Sequence, residues 1–334
     1  MRAFVQTGIG VFEERDLPPP RAGPGEVVLR VRAALTCGTD RKLLERGHPR
    51  IALPVTMGHE ACGEIAEVGA GVEGFRAGDR VVPAISGPCG RCDECRRGFE
   101  NLCAAAHRDR TWGAFAELLK VPAPVVARSL HPVADGVSAE TAAFLDPLAS
   151  VLHGWSRLGR VRGPLLVYGA GALGLLWAAT ARLRGVPATV AARGGEDRLA
   201  IARRYGARVV DLEREPLEPV SQDRPGAAVD CTGDETVWER LPGLVRPGGK
   251  VLLFGGCGPG AAVTYDAALL HYSEISLIGS FHYRPEEARE AMRMLSAGEI
   301  DPTPLVTDRG PLSDLPRFLA AEIRREGIRY AVFP

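Results

Sequence analysis

Four cysteines, Cys89, Cys92, Cys95 and Cys103, fall in the pattern C-x2-C-x2-C-x7-C, with Gly87, Gly90 and Gly98 among them. Glycine-rich loops of this length bring four thiolates within reach of one tetrahedral ion, and four sulfurs close its coordination sphere. The chemistry expected is therefore structural: a zinc ion folding a lobe of about residues 86–106 that otherwise lacks a core. An iron–sulfur cluster and unligated thiols are the alternatives the spacing leaves open.

Gly169-Ala170-Gly171-Ala172-Leu173-Gly174 reads G-x-G-x-x-G between an apolar strand and an apolar helix. Gly169 permits a tight turn, Gly171 lets the backbone approach a pyrophosphate, and Gly174 lets the helix pack against the strand. Free N–H groups at the helix start attract the anion. A bound dinucleotide touching Gly169, Gly171, Ala172, Leu173 and Gly174 is expected, with a ligand-free glycine turn as the alternative. At the end of the next strand an acid would accept a hydrogen bond from the ribose 2′-OH of NAD. Arg193 stands there, and a guanidinium pairs with a 2′-phosphate. The sequence predicts NADP as the preferred dinucleotide, while Glu196 and Asp197 keep NAD possible.

Cys37 lies in Thr36-Cys37-Gly38-Thr39-Asp40 and His59 in Gly58-His59-Glu60. Alone each is a weak signal, because a single cysteine more often packs than ligates and a single histidine is commonly a surface or core residue. Cys62, Cys231 and Cys257 sit in apolar stretches and are expected to be buried packing residues. Among 334 residues, 41 Lys and Arg balance 41 Asp and Glu, so no net field attracts nucleic acid or an anionic membrane, and a small-molecule role gains weight. Met1–Val5 shows no basic segment followed by an apolar run, so a cytoplasmic protein is expected. The charge-free stretch 163–181 imitates a membrane span in length, yet Pro164 and its three turn-spaced glycines read as strand, turn and helix.

The elements that must position these residues fall into two textures. Up to about residue 125 short strands dominate, at 27–33, 61–68, 79–82 and 117–121, so this part reads as all-β. From Pro164 strands and helices alternate, with strands at 165–168, 188–192, 209–211, 227–230, 250–254 and 274–278 and helices at 172–184 and 197–205. That alternation predicts a doubly wound parallel sheet. A final helix at 285–297 is expected to precede a Pro-rich tail returning to the first domain.

Taken together, Gly58-His59-Glu60-x-x-Gly63, Gly69, Val72, Gly78-Asp79-Arg80-Val81, the four-cysteine lobe and the nucleotide turn resemble the zinc-containing alcohol dehydrogenases of the medium-chain dehydrogenase/reductase superfamily. The likeness spans essentially the whole chain and leans toward sorbitol and threonine dehydrogenase-like members. It implies an α/β protein: a GroES-like β-barrel catalytic domain (1–149 and 284–334) and a Rossmann domain (150–283), with the active site in the cleft between them. It also implies two zinc ions per chain, one catalytic and one structural. By that resemblance Cys37 and His59 bind the catalytic zinc, Glu60 is a ligand or a ligand's close partner, and Asp146 stands where relatives carry Cys or Glu as a further ligand. Thr39 matches the hydroxyl of the proton relay. Its usual onward histidine is replaced by Lys42, with His48 further along. Cys231 and Thr232 should border the adenosine, and Phe254, Gly255, Gly256, Gly279, Ser280 and Phe281 the nicotinamide, although these glycines serve equally well as plain turns. The activity implied is hydride transfer between a secondary alcohol or polyol, or the matching ketone or aldehyde, and NAD(P). Alternatives are a zinc-free NADPH reductase of the same superfamily and a non-catalytic binding protein on this fold. A homodimer or homotetramer is implied, with the contact sought in the segment 261–278.

Overall fold

A computed structural model describes residues 1–47, 51–217 and 224–334 and gathers the apolar runs of the middle of the chain into one parallel sheet. Its six strands lie in the order Arg208–Asp211, Ala188–Ala192, Leu165–Tyr168, Ala227–Asp230, Lys250–Leu253, Ser276–Gly279. Short, continuous apolar strands suit this sheet because both of its faces are covered, as the full burial of the successive residues Leu165, Leu166 and Val167 shows. Leu166, Ala191, Ala228 and Val251 are fully buried in its core, and burying a side chain such as Leu166 contributes roughly 1.5–3 kcal/mol. The strand order reverses beside Leu165–Tyr168, where a doubly wound sheet opens a crevice at its carboxyl ends. The charge-free stretch 163–181 resolves into that strand, the glycine turn and the helix Ala172–Leu183. Among the described residues no helix is long and apolar enough to cross a membrane.

This sheet belongs to a compact unit spanning Ser150–His282, while Met1–Ala149 and Tyr283–Pro334 together form another. In the latter, a sheet runs Val306–Pro311, Arg329–Phe333, Val27–Leu35, Glu60–Val68, Arg80–Pro83, Leu130–Pro132, with Leu118–Val121 also paired to Val27–Leu35. A smaller sheet joins Val11–Asp16, Arg2–Gly8 and Val55–Thr56. The register sets the site. Glu60 pairs with Leu35 at the end of the central strand, and on its other flank Ala331 also pairs with Leu35. Cys37, Glu60 and Arg329 are thereby drawn to one end of three adjacent strands. Leu29, Ile65, Phe115 and Phe318 fill the core beneath them.

Two expectations need correction. The N-terminal part is not all-β: helices occupy Gly38–Arg46, Asp93–Arg96, Ala104–Arg108 and Ala123–Ser129. Gly38–Arg46 is mostly polar and buries only Asp40, Leu43 and Leu44, too few positions to give a helical apolar period. Nor is Pro285–Ser296 the last element before a tail, since the strands Val306–Pro311 and Arg329–Phe333 and the helix Leu315–Ile323 follow it. Val306–Pro311 is an edge strand with a single buried residue, so it carries little apolar signal.

Candidate functional site

The central strand runs into Cys37 while its neighbour starts at Glu60, directly after His59, and the ligand atoms of Cys37, His59 and Glu60 lie within 4.8 Å of one another. Gly58 makes this approach possible. Its φ is +88°, and a Cβ there would sit 2.9 Å from the backbone nitrogen of Phe115. Cys37 is also the N-cap of Gly38–Arg46: its Sγ accepts from the Thr39 N–H at 3.5 Å, and its own N–H donates to Asp40 Oδ2 at 2.8 Å.

His59 and Glu60 are almost fully buried, and so is Arg329, whose Nη2 donates to Glu60 Oε1 at 3.1 Å and Nη1 to the Thr36 carbonyl at 2.7 Å. Burial pushes the Glu60 carboxyl well above the usual carboxylate range; Arg329 opposes that shift and Cys37 adds to it. Burial also raises Asp40, against the pull of His59. Nδ1 of His59 and Oδ1 of Asp40 face each other at 3.8 Å, each without a hydrogen bond, and Glu60 Oε2 is likewise buried without a partner. Unsatisfied buried nitrogen and oxygen beside a thiol match the donor set of a zinc ion, so these residues fit that metal. Trp112 stacks on His59 with ring centroids 4.8 Å apart and planes 6° from parallel.

Asp146, expected among the ligands, is outside that group of three. It lies in the first turn of Leu145–Leu158, where its Oδ1 accepts from the Tyr283 hydroxyl at 2.6 Å. The Tyr283 oxygen in turn accepts from the Ile85 N–H at 3.2 Å. Burial, then Asp146, hold the Tyr283 hydroxyl well above its ordinary pKa. Thr39 is half-buried in the first turn of Gly38–Arg46, and Lys42 follows one turn on. His48 is outside the described residues. Sequence reasoning missed Arg329, Tyr283, Trp112 and Asp40. Only Asp40 carried a local signal, three residues beyond Cys37 at the capping-box position.

The second cysteine group also converges, with the sulfurs of Cys89, Cys92, Cys95 and Cys103 within 4.8 Å of one another. Four sulfurs in that space fit zinc in a closed tetrahedron. The lobe rests on the helix Ala123–Ser129, where a Cβ on Gly87 would meet the Pro124 carbonyl oxygen at 2.1 Å and one on Gly90 the Arg128 guanidinium at 2.0 Å. Backbone N–H groups of Arg91 and Cys92 draw the Cys89 thiol down to about 6. Of the three cysteines expected to be buried, Cys62 is, but Cys231 and Cys257 are only partly so, because both lie in turns beyond strand ends.

In the other unit, Gly169 has φ +108°, and a Cβ on Gly174 would lie 1.9 Å from the Gly169 carbonyl oxygen. At Gly171 an added Cβ would meet nothing within 4 Å, the open approach a pyrophosphate requires. Ala172 and Leu173 open the helix Ala172–Leu183. Asp230, fully buried, accepts from the N–H and hydroxyl of Thr232, the Gly233 N–H and the Trp238 indole, which fixes the Cys231–Thr232 turn. A Cβ on Gly255 would come within 2.5 Å of the Gly233 nitrogen, so this turn and Phe254–Gly256 abut. Phe254 meets Trp177 edge-on at 5.7 Å. Ser280 has a buried Oγ without a hydrogen-bond partner. Arg193 is exposed just past the strand Ala188–Ala192, and the acid of the adjacent strand, Asp211, is occupied in accepting from the N–H groups of Gly194 and Glu213. The open turn, the orphan hydroxyl and the exposed guanidinium are compatible with a phosphorylated dinucleotide.

Two family descriptions match the chain: an alcohol dehydrogenase GroES-like domain over residues 23–132 and a zinc-binding dehydrogenase over residues 172–297. D-altritol 5-dehydrogenase of Agrobacterium fabrum is 34% identical, the match covering 93% of this chain and 92% of that protein. Sorbitol dehydrogenase of Halalkalibacterium halodurans is 30% identical, covering 100% and 99%. Among solved structures, a zinc-binding dehydrogenase of Sinorhizobium meliloti 1021 bound to NADP superposes with a TM-score of 0.89 at 27% identity, covering 100% of this chain and 99% of that one.

Proposed function

The chain belongs to the zinc-containing alcohol dehydrogenases of the medium-chain dehydrogenase/reductase superfamily, and from that premise we propose that it exchanges hydride between a secondary alcohol or polyol, or the matching ketone, and a nicotinamide dinucleotide. The observation that carries the reading is a thiol, an imidazole and a carboxylate within 4.8 Å of one another, two of them in the interior. Cys37, His59 and Glu60 would hold the catalytic zinc, and Cys89, Cys92, Cys95 and Cys103 a structural one. Zinc at the first group supplies a Lewis acid that lowers the pKa of a hydroxyl or polarises a carbonyl.

The rest is the work of side chains. Arg329 offsets the Glu60 charge, Asp40 faces His59 from the Nδ1 side, and Trp112 fixes the plane of the imidazole. Burial strengthens the attraction between Arg329 and Glu60. Thr39, two residues from Cys37, is the hydroxyl that takes the alcohol proton outward. Arg193 favours NADP, a reading supported by the NADP-bound relative. The altritol and sorbitol named in the relatives support a polar carbon chain with a secondary hydroxyl. Self-association through the sheet edge is part of the proposal. Ser276–Gly279 is one of the two edge strands, no residue of 261–278 is buried, and Tyr272 is 83% exposed.

The test is a panel of secondary alcohols and ketones with NADP and NAD, on zinc-replete wild type, Cys37→Ser and Arg193→Asp. Turnover of a polyol should vanish in Cys37→Ser with the fold retained, and the NADP preference should fall in Arg193→Asp. Normal rates in Cys37→Ser would overturn the metal assignment, and an unchanged cofactor ratio the assignment of Arg193.

A further inference from the structure

Two carboxylates stand near Cys37 and His59, and each has one oxygen fixed by a residue of the stretch Tyr283–Pro334. Arg329 holds Glu60 by Oε1, and Tyr283 holds Asp146 by Oδ1. The anchors differ in consequence. Glu60 keeps Oε2 buried and unpartnered inside the group of three donor atoms, whereas Asp146 is outside that group, though close enough for its charge to act on Glu60. Zinc sites with four protein ligands are closed, and catalytic sites keep a position for substrate. If Cys37, His59, Glu60 and Asp146 all bound one ion, no place would remain for an alcohol.

Resting on the zinc reading above, we infer that Tyr283 is a positioning residue that tethers Asp146 away from the metal and so keeps the fourth coordination position open. The tether is itself anchored. The Tyr283 oxygen accepts from the Ile85 N–H while its hydroxyl donates to Asp146, so both functions of the phenol are used and the ring is buried at 3% exposure. Tyr283 is an uncharged donor to Asp146, whereas Glu60 is held by a guanidinium. Loss of the Tyr283 hydroxyl frees Asp146 on its short helical turn to compete with substrate for the open position.

The experiment compares wild type, Tyr283→Phe, Asp146→Asn and the double variant, loaded with Co2+ and with Zn2+, by visible absorption and by chelator competition. Tyr283→Phe should release metal from the buried site several-fold more slowly, because a further carboxylate oxygen then joins the ligands. Its cobalt bands should change as an oxygen ligand is added, and KM for alcohol should rise more than kcat falls. Asp146→Asn should keep its metal, and the double variant should return to the wild-type spectrum, an effect that altered packing alone does not produce. Metal loss in Asp146→Asn, or a Tyr283→Phe spectrum identical to wild type, overturns the inference and leaves the dehydrogenase reading standing. Wild type that takes up metal only at the four-cysteine lobe overturns both.

Discussion

The four-cysteine lobe and the buried group around His59 belong to the same unit and both bring metal-ligating side chains within 4.8 Å of one another, yet they are built in opposite ways. The lobe is drawn from one short run, Cys89 to Cys103, with four identical donors and two glycines laid against a single helix. The buried group takes its donors from two strand ends, and its supporting charge, Arg329, lies 269 residues from Glu60. A local group offers its donors as a spacing pattern and fails locally when disturbed. A long-range group depends on the whole sheet, so a change in one side chain reaches global stability.

The sharpest way to break this contrast is Arg329→Met. It leaves the Glu60 carboxylate buried without its cation and should lower stability by about 3–5 kcal/mol, read as the urea midpoint of the whole unit. Adding Glu60→Gln should recover part of the loss, and a single variant indistinguishable from wild type would contradict the global role given to this pair. Next in size is Gly87→Ala, whose methyl would lie 2.1 Å from a backbone oxygen that has little room to yield. A loss of about 1–3 kcal/mol is expected, seen as faster amide exchange across residues 86–106 with an unchanged midpoint elsewhere. A shifted midpoint for the entire unit would mean that the lobe is not local. The smallest effect is Glu100→Gln. Its ion pair with Arg128 spans 3.3 Å with side chains 26% and 42% exposed, so at most about 1 kcal/mol is at stake and high salt should erase it.

The legibility of the chain follows the same division. The parallel sheet was readable because its short apolar strands alternate with helices, and Gly169 to Gly174 mark the turn that matters. The cysteine lobe was readable as spacing, and Cys37, His59 and Glu60 as a family pattern. Tyr283 and Arg329 were not. Neither sits in a motif, and Arg329 follows Arg324 and Arg325, which face solvent, so nothing local marks it as the one inside. Burial and long-range partnership arise from strand register, here the pairing of Leu35 with both Glu60 and Ala331. The same limit hid Trp112, whose stacking on His59 depends on a loop returning beside Gly58 through the backbone bond from the Gly113 N–H to the Gly58 carbonyl.

The interrupted course of the first unit has a consequence during synthesis. At roughly 5–20 residues per second, the 269 positions between Glu60 and Arg329 correspond to on the order of ten to fifty seconds on the ribosome. Throughout that interval the emerging Val27–Leu35 strand has a bare flank where Arg329–Phe333 will later pair, and Glu60 waits without its guanidinium. The uninterrupted Ser150–His282 stretch can finish first, whereas the earlier-made half keeps that flank open until Arg329–Phe333 has cleared the exit tunnel.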